Sequence, residues 1–165
     1  MGKTLIIAEK PSVGRDIAGV LPGAFAKHEG FLESNDTVVT WAVGHLVTLA
    51  EPEDYDERFK KWRMADLPIL PDEFKLKPRD EKSKKQLKVI HGLLKRDDVE
   101  HVVNACDSGR EGELIFAYIW DTAVESFDTE KKGARGANIV SPAMKPVERL
   151  WISSMTKQAI QGGFE

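Results

Sequence analysis

Three acids fall close together in the stretch VVNACDSGREGELIF, Val102–Phe116: Asp107, Glu111 and Glu113. An apolar run ends at the first, a glycine turn follows, and the other two open an apolar helical segment. A fourth acid, Glu9, directly follows another apolar run, Thr4–Ala8. Open parallel sheets bind ligands at the carboxyl ends of their strands. If the two runs are neighbouring strands, Glu9 and Asp107 meet at one rim. Glu111, in the first turn of the next helix, can face the same rim. Close carboxylates repel, so they share a proton, admit a basic side chain or bind a cation. All-oxygen ligands suit Mg²⁺, which keeps several waters and often bridges to phosphate. Such a site works on phosphate esters, where the metal offsets charge on oxygen. The plainer reading is that acids are favoured at a helix N-terminus by its dipole. It accounts for Glu111 and Glu113, but for neither Asp107 nor Glu9.

Lys10 and Arg110 each stand beside an acid. They are either surface ion-pair partners, worth little, or groups that hold a phosphodiester against the metal. His45 follows a strand-like run and a glycine, where it could donate to phosphate. A lone histidine is more often structural. Tyr118 lies among Ile115, Phe116, Ile119 and Trp120, a core pattern, and Tyr55 lies in an acidic loop. Neither is placed as a nucleophile. Cys106 reads as an inert strand residue, since nothing around it lowers a thiol pKa.

The elements that must position these groups are legible from periodicity. Thr4–Ala8 is a buried strand, and Pro11-Ser12 opens a helix with Val13, Ile17, Val20 and Leu21 at helical spacing. Phe31–Glu33 and Thr37–Val43 form a hairpin around Ser34-Asn35-Asp36. Residues 50–80 make an irregular excursion packed on the domain. Lys82–Arg96 is an amphipathic helix with Leu87, Ile90 and Leu94 inward. His101–Cys106 is a strand, Arg110–Val124 a helix and Val147–Ile152 a strand, and Thr156 caps a last short helix. Residues 125–145 read as a long polar loop. Strands alternating with helices predict an α/β domain with a largely parallel central sheet flanked by helices, the hairpin being an addition.

The 165 residues suffice for one domain with its own core. A composition of 41% hydrophobic and 31% charged residues fits a soluble globular protein. No apolar run approaches the ~20 residues of a membrane helix, so no membrane partner is expected. The N-terminus has no secretory pattern, and a single cysteine precludes an internal disulfide, consistent with a reducing, cytoplasmic setting. Zinc patterns of the CxxC and HExxH kinds are absent. A net charge of −3 is low for a dedicated duplex binder. Local basic clusters exist at Lys82, Lys84, Lys85 and Lys88, and at Lys131, Lys132 and Arg135. Each alone reads as a solvated face.

The blocks LIIAEKPSVGRDIAGVL, VVTWAVGHLVTLAEPEDYD, ACDSGREGELIF and ERLWISSMTKQAI, in this order, resemble the N-terminal Toprim domain of type IA DNA topoisomerases, the topoisomerase III branch above all. The resemblance runs from about Lys3 to the end, interrupted at 125–145. It implies a Rossmann-like Toprim fold spanning residues 1–165. It also implies that Glu9 assists proton transfer at the 3′-oxygen and lies beside Mg²⁺, and that Lys10 neighbours the scissile phosphate. Asp107 and Glu111 match the first and last acids of the family's Asp-x-Asp-x-Glu pattern and would surround the metal. Arg110 and Glu113 match the rest of the REGE signature, and His45, with Arg110 and Lys10, would face single-stranded DNA. Gly109 stands where the pattern has its middle acid, which removes one ligand and leaves the number of metals open. Type IA enzymes cut one strand with a tyrosine carried by a later domain. The resemblance therefore casts this chain as one module, dependent on the remaining topoisomerase domains for strand passage. The alternatives are a stand-alone Toprim module that binds Mg²⁺ and nucleic acid without turnover, and a Toprim nuclease.

Overall fold

The computed structural model describes residues 2–133 and 141–164. Its organising element is strand β1, Lys3–Ala8. Successive strand residues point to opposite faces, and in β1 both faces are apolar because both are covered. Leu5 and Ile7 enter one buried cluster, while Ile6 and Ala8 enter another on the opposite face. Helices α1 (Pro11–Ala18) and α5 (Lys157–Gly163) supply Ile17 and Ile160 to the second cluster. Helices α3 (Glu81–Leu94) and α4 (Arg110–Gly133) supply Leu87, Ile90, Leu94, Ile115 and Ile119 to the first. The inward face predicted for α3 is therefore the observed one. Thr156 caps α5 as expected, its Oγ1 accepting from the Ala159 amide at 3.2 Å.

The main sheet has six strands in the order β2-β3-β4-β1-β7-β8. Strands β4 (Thr37–Trp41), β1, β7 (Val99–Ala105) and β8 (Val147–Arg149) run parallel. The hairpin of β3 (Phe31–Glu33) and β4 is antiparallel, as expected. It is not an addition, however: β4 pairs along all of β1 from Thr4↔Thr37 to Ala8↔Trp41, so it belongs to the central sheet. A further strand, β2 (Ala26–His28), extends the hairpin to the sheet edge.

Residues 125–145 differ from the expected loop. Helix α4 continues to Gly133, because Phe127 lies four residues beyond Ala123 and both are buried on the core side. Residues 134–140 lie outside the described residues, and a short 3₁₀ turn, Pro142–Met144, follows. Of the second basic cluster, Lys131 and Lys132 fall on the last turn of α4, and Arg135 lies outside the described residues. The excursion after β5 (Val47–Leu49) returns as β6 (Leu76–Pro78), antiparallel to β5. Between them lie a one-turn helix, α2 (Pro52–Tyr55), and two 3₁₀ turns. No helix among the described residues is long and apolar enough to cross a membrane.

At the amino-terminal rim of the sheet, Glu33 accepts from Arg96 Nη2 at 2.6 Å and from Lys3 Nζ at 2.7 Å. The Arg96 guanidinium, aided by Lys3, holds the Glu33 carboxyl down at about 2 against an ordinary value of 4.5. A carboxyl depressed in the folded state contributes stability above its unfolded value and loses it as pH falls toward the folded one. Solvent at this rim screens the pair, which leaves a contribution of about 1–2 kcal/mol. Glu33→Gln is therefore expected to lower the melting temperature at pH 7 by several degrees, the difference shrinking as pH falls from about 4.5 and vanishing only below about 2. Thermal melts of both proteins across that window check this.

Candidate functional site

The register of the central strands builds the site. Ala8 pairs with Trp41 on one side and with Ala105 on the other. Glu9 thus leaves the sheet level with Cys106, one residue from Asp107. The Asp107 amide donates to Glu9 Oε2 at 3.3 Å, so the two strand ends predicted to converge do converge. Glu9 is buried, only 8% exposed. Asp107 is open to solvent, its side chain 61% exposed.

Of the three ways to relieve carboxylate repulsion, the structure uses the intruding base. Lys10 Nζ lies 3.3 Å from Glu9 Oε1 and 3.9 Å from Asp107 Oδ2. Its pKa is raised, first by the hydrogen bond to Glu9 and then by the charges of Glu9 and Asp107. The ammonium stays charged at any physiological pH and faces solvent between two acids. A cation so placed is suited to an anionic ligand that brings its own oxygens.

Glu111, in the first turn of α4, is reached from the other side of the rim. His45 Nε2 lies 2.9 Å from Glu111 Oε2. Gly44 takes φ +70°, and this left-handed turn carries the chain from the end of β4 to His45. Among the described residues no three His, Cys, Asp or Glu side chains lie close enough together to hold a metal ion. The structure brings Glu9, Lys10 and Asp107 together and, as a separate pair, His45 and Glu111. Arg110, at the start of α4, is exposed, and its side chain has no ion pair among the described residues.

The close approach of α4 to the β7 end rests on Gly112. A Cβ there would stand 2.0 Å from the Asp107 carbonyl oxygen and 2.8 Å from its amide nitrogen. Gly109 differs: a Cβ at that position would meet nothing within 4 Å. The backbone therefore leaves room for a side chain where the middle acid of the pattern would stand.

One contributor escaped the sequence reading. Arg149, the last residue of β8, donates through Nη2 to the Asp107 carbonyl at 2.7 Å and pairs with Glu113 at 2.9 Å. Its Nε and Nη1 are buried without a hydrogen-bond partner among the described residues. It ties the acidic turn to the neighbouring strand, and Asn104 Nδ2 adds a longer contact to Glu113 at 3.4 Å. The only available signal was an arginine within the ERLWISS block, with nothing to say which strand it would face.

The cysteine and tyrosines stand as expected from their surroundings. Burial pushes the Cys106 thiol up to about 12, so it carries no thiolate at neutral pH. Tyr55 is engaged as an acceptor, its hydroxyl taking the Lys75 amide at 2.7 Å. Tyr118 is half-buried and packs against the core.

The chain is 46% identical, over its full 165 residues, to DNA topoisomerase 3 of Bacillus subtilis (strain 168), and covers 20% of that protein. It is 44% identical to the DNA topoisomerase 3 of Bacillus licheniformis, over all of this chain and 20% of the relative. Against that of Bacillus cereus (strain ATCC 14579) it is 44% identical over 164 residues, 99% of this chain and 20% of the relative. The chain thus spans about a fifth of the relatives it matches. The family model for the Toprim domain matches residues 4–141, and so the chain, with its paired strand-end carboxylates, belongs to the Toprim domain family.

Proposed function

We propose that this chain is the Toprim module of a type IA, topoisomerase III-like DNA topoisomerase. The observation that carries the proposal is the Lys10 ammonium held between Glu9 and Asp107 at the rim of a Toprim sheet. In this reading Lys10 and Arg110 bind the phosphodiester of a single DNA strand, and His45 contacts the strand beside them. Glu9, nearly buried and fixed by the Asp107 amide, holds or moves a proton at the 3′-oxygen. Glu9, Asp107 and Glu111 supply carboxylate oxygens, the donor chemistry that fits a hard divalent cation such as Mg²⁺. When bound, that ion offsets charge developing on the phosphate oxygens. His45 engages Glu111 through Oε2, which leaves Oε1 as the oxygen open to a cation. The engaged or core-packed state of Tyr55 and Tyr118 supports a nucleophilic tyrosine in a later domain. The setting is the cytoplasm, the reading that the single cysteine supports.

The test is reconstitution. With supercoiled plasmid and Mg²⁺, this chain alone is expected to leave the plasmid supercoiled. Adding the remaining domains of the parent protein as a separate chain is expected to restore relaxation. Nicking by the isolated chain that disappears in Glu9→Ala would replace this reading with that of a nuclease.

A further inference from the structure

A recess of about 390 Å³ opens beside the His45–Glu111 pair, between the β5–β6 ribbon and the first turns of α4. His45, Thr48, Leu49, Arg79, Leu114 and Tyr118 line it. Two features set it apart from an ordinary surface hollow. Leu49 and Leu114, 41% and 38% exposed, both present apolar surface to it. Arg79, also in the lining, is exposed and makes no ion pair among the described residues, its charge acting at longer range on the neighbouring Asp80. It is held at this place by the ribbon, since its amide donates to the Leu46 carbonyl at 2.9 Å, directly beside His45.

A recess with apolar walls and an exposed arginine among its lining residues suits one chemical class, a nucleotide. The base faces are apolar and stack on aliphatic and aromatic walls, while the phosphate takes the arginine fork. The volume lies within the range of small-ligand sites. His45 belongs both to the recess wall and to the pair with Glu111, so the recess adjoins that side of the rim. We propose that it seats one nucleotide of the bound strand, next to the phosphate held at Lys10, with Arg79 as its anionic contact. This rests on the reading of the rim as a DNA site.

Amide shifts in the NMR spectrum of this chain, titrated with thymidine 5′-monophosphate and then with an oligo-dT, test it directly. The expected result is shifts at Thr48, Leu49 and Leu114. Arg79→Ala is expected to weaken oligo-dT binding, measured by fluorescence anisotropy, by about tenfold or more, with Arg79→Lys intermediate. If shifts are confined to Lys10 and Arg110 and Arg79→Ala binds as before, the recess proposal falls while the DNA reading stands. If no oligomer binds and no amide shifts, both fall. A protein occupant would show itself in the parent protein as a Thr48→Cys thiol shielded from labelling, with oligomer affinity unmoved by Arg79→Ala, and that result also overturns the proposal. Native Cys106 is buried and does not confuse the labelling.

Discussion

Glu9→Gln is expected to reduce plasmid relaxation by the proposed full-length enzyme by about 10²- to 10⁴-fold, the range for loss of a positioned acid or base. The amide is nearly the same size as the carboxylate and can still accept from the Asp107 amide, so the fold should survive. What disappears is the charge. Lys10 loses the hydrogen bond that is the main cause of its raised pKa and keeps only the weaker attraction of Asp107. Relaxation rate and melting temperature are to be measured together. A rate within threefold of the wild type, at unchanged stability, would remove Glu9 from the chemistry. Lys10→Ala separates the two roles: it should weaken binding of a single-stranded oligomer, which Glu9→Gln should not.

The second large effect is structural. Gly112→Ala places a methyl 2.0 Å from a backbone oxygen, where no flexible side chain can yield. Either α4 or the Asp107 turn must shift. The expected destabilisation is about 2–4 kcal/mol, in the range of overpacking in a tight interior. The same substitution at Gly92, exposed in α3 with nothing within 4 Å of the new Cβ, should do the opposite. It is expected to stabilise by about 0.5–1 kcal/mol through helix propensity. Urea unfolding of the two variants checks both signs. Equal stabilities would mean that the approach of α4 to Asp107 is looser than described.

Much of this was legible in the sequence, for reasons that differ between elements. The runs at β1 and β7 announce themselves because both faces of a central strand are apolar. Helix α3 shows its period because one side faces lysine-rich solvent. From two strand ends alone, the meeting of Glu9 and Asp107 could be anticipated. Strand β2 could not, since its three residues are exposed and its extended form comes from pairing with β3. The place of β4 inside the sheet is set by a partner more than thirty residues away in the chain, which local pattern does not report. The last turns of α4 were hidden because Phe127 is their lone buried apolar residue among the described residues there, its neighbours being polar. Arg149 and the His45–Glu111 pair depend on where a three-residue edge strand and a glycine turn place side chains, and neither leaves a periodic trace.

Strand β1 is flanked by strand partners on both sides from Thr4 to Ala8. Its amides should exchange with deuterated solvent only by global opening of the domain, at the slow extreme for this molecule. The carboxylate that follows it is thus anchored to the least yielding part of the chain, whereas Asp107 and Glu111 are largely open to solvent and held only by surface pairs with Lys10 and His45. Adaptation to an arriving strand must then be made by the exposed acids and the lysine, with Glu9 as the stationary reference around which they rearrange.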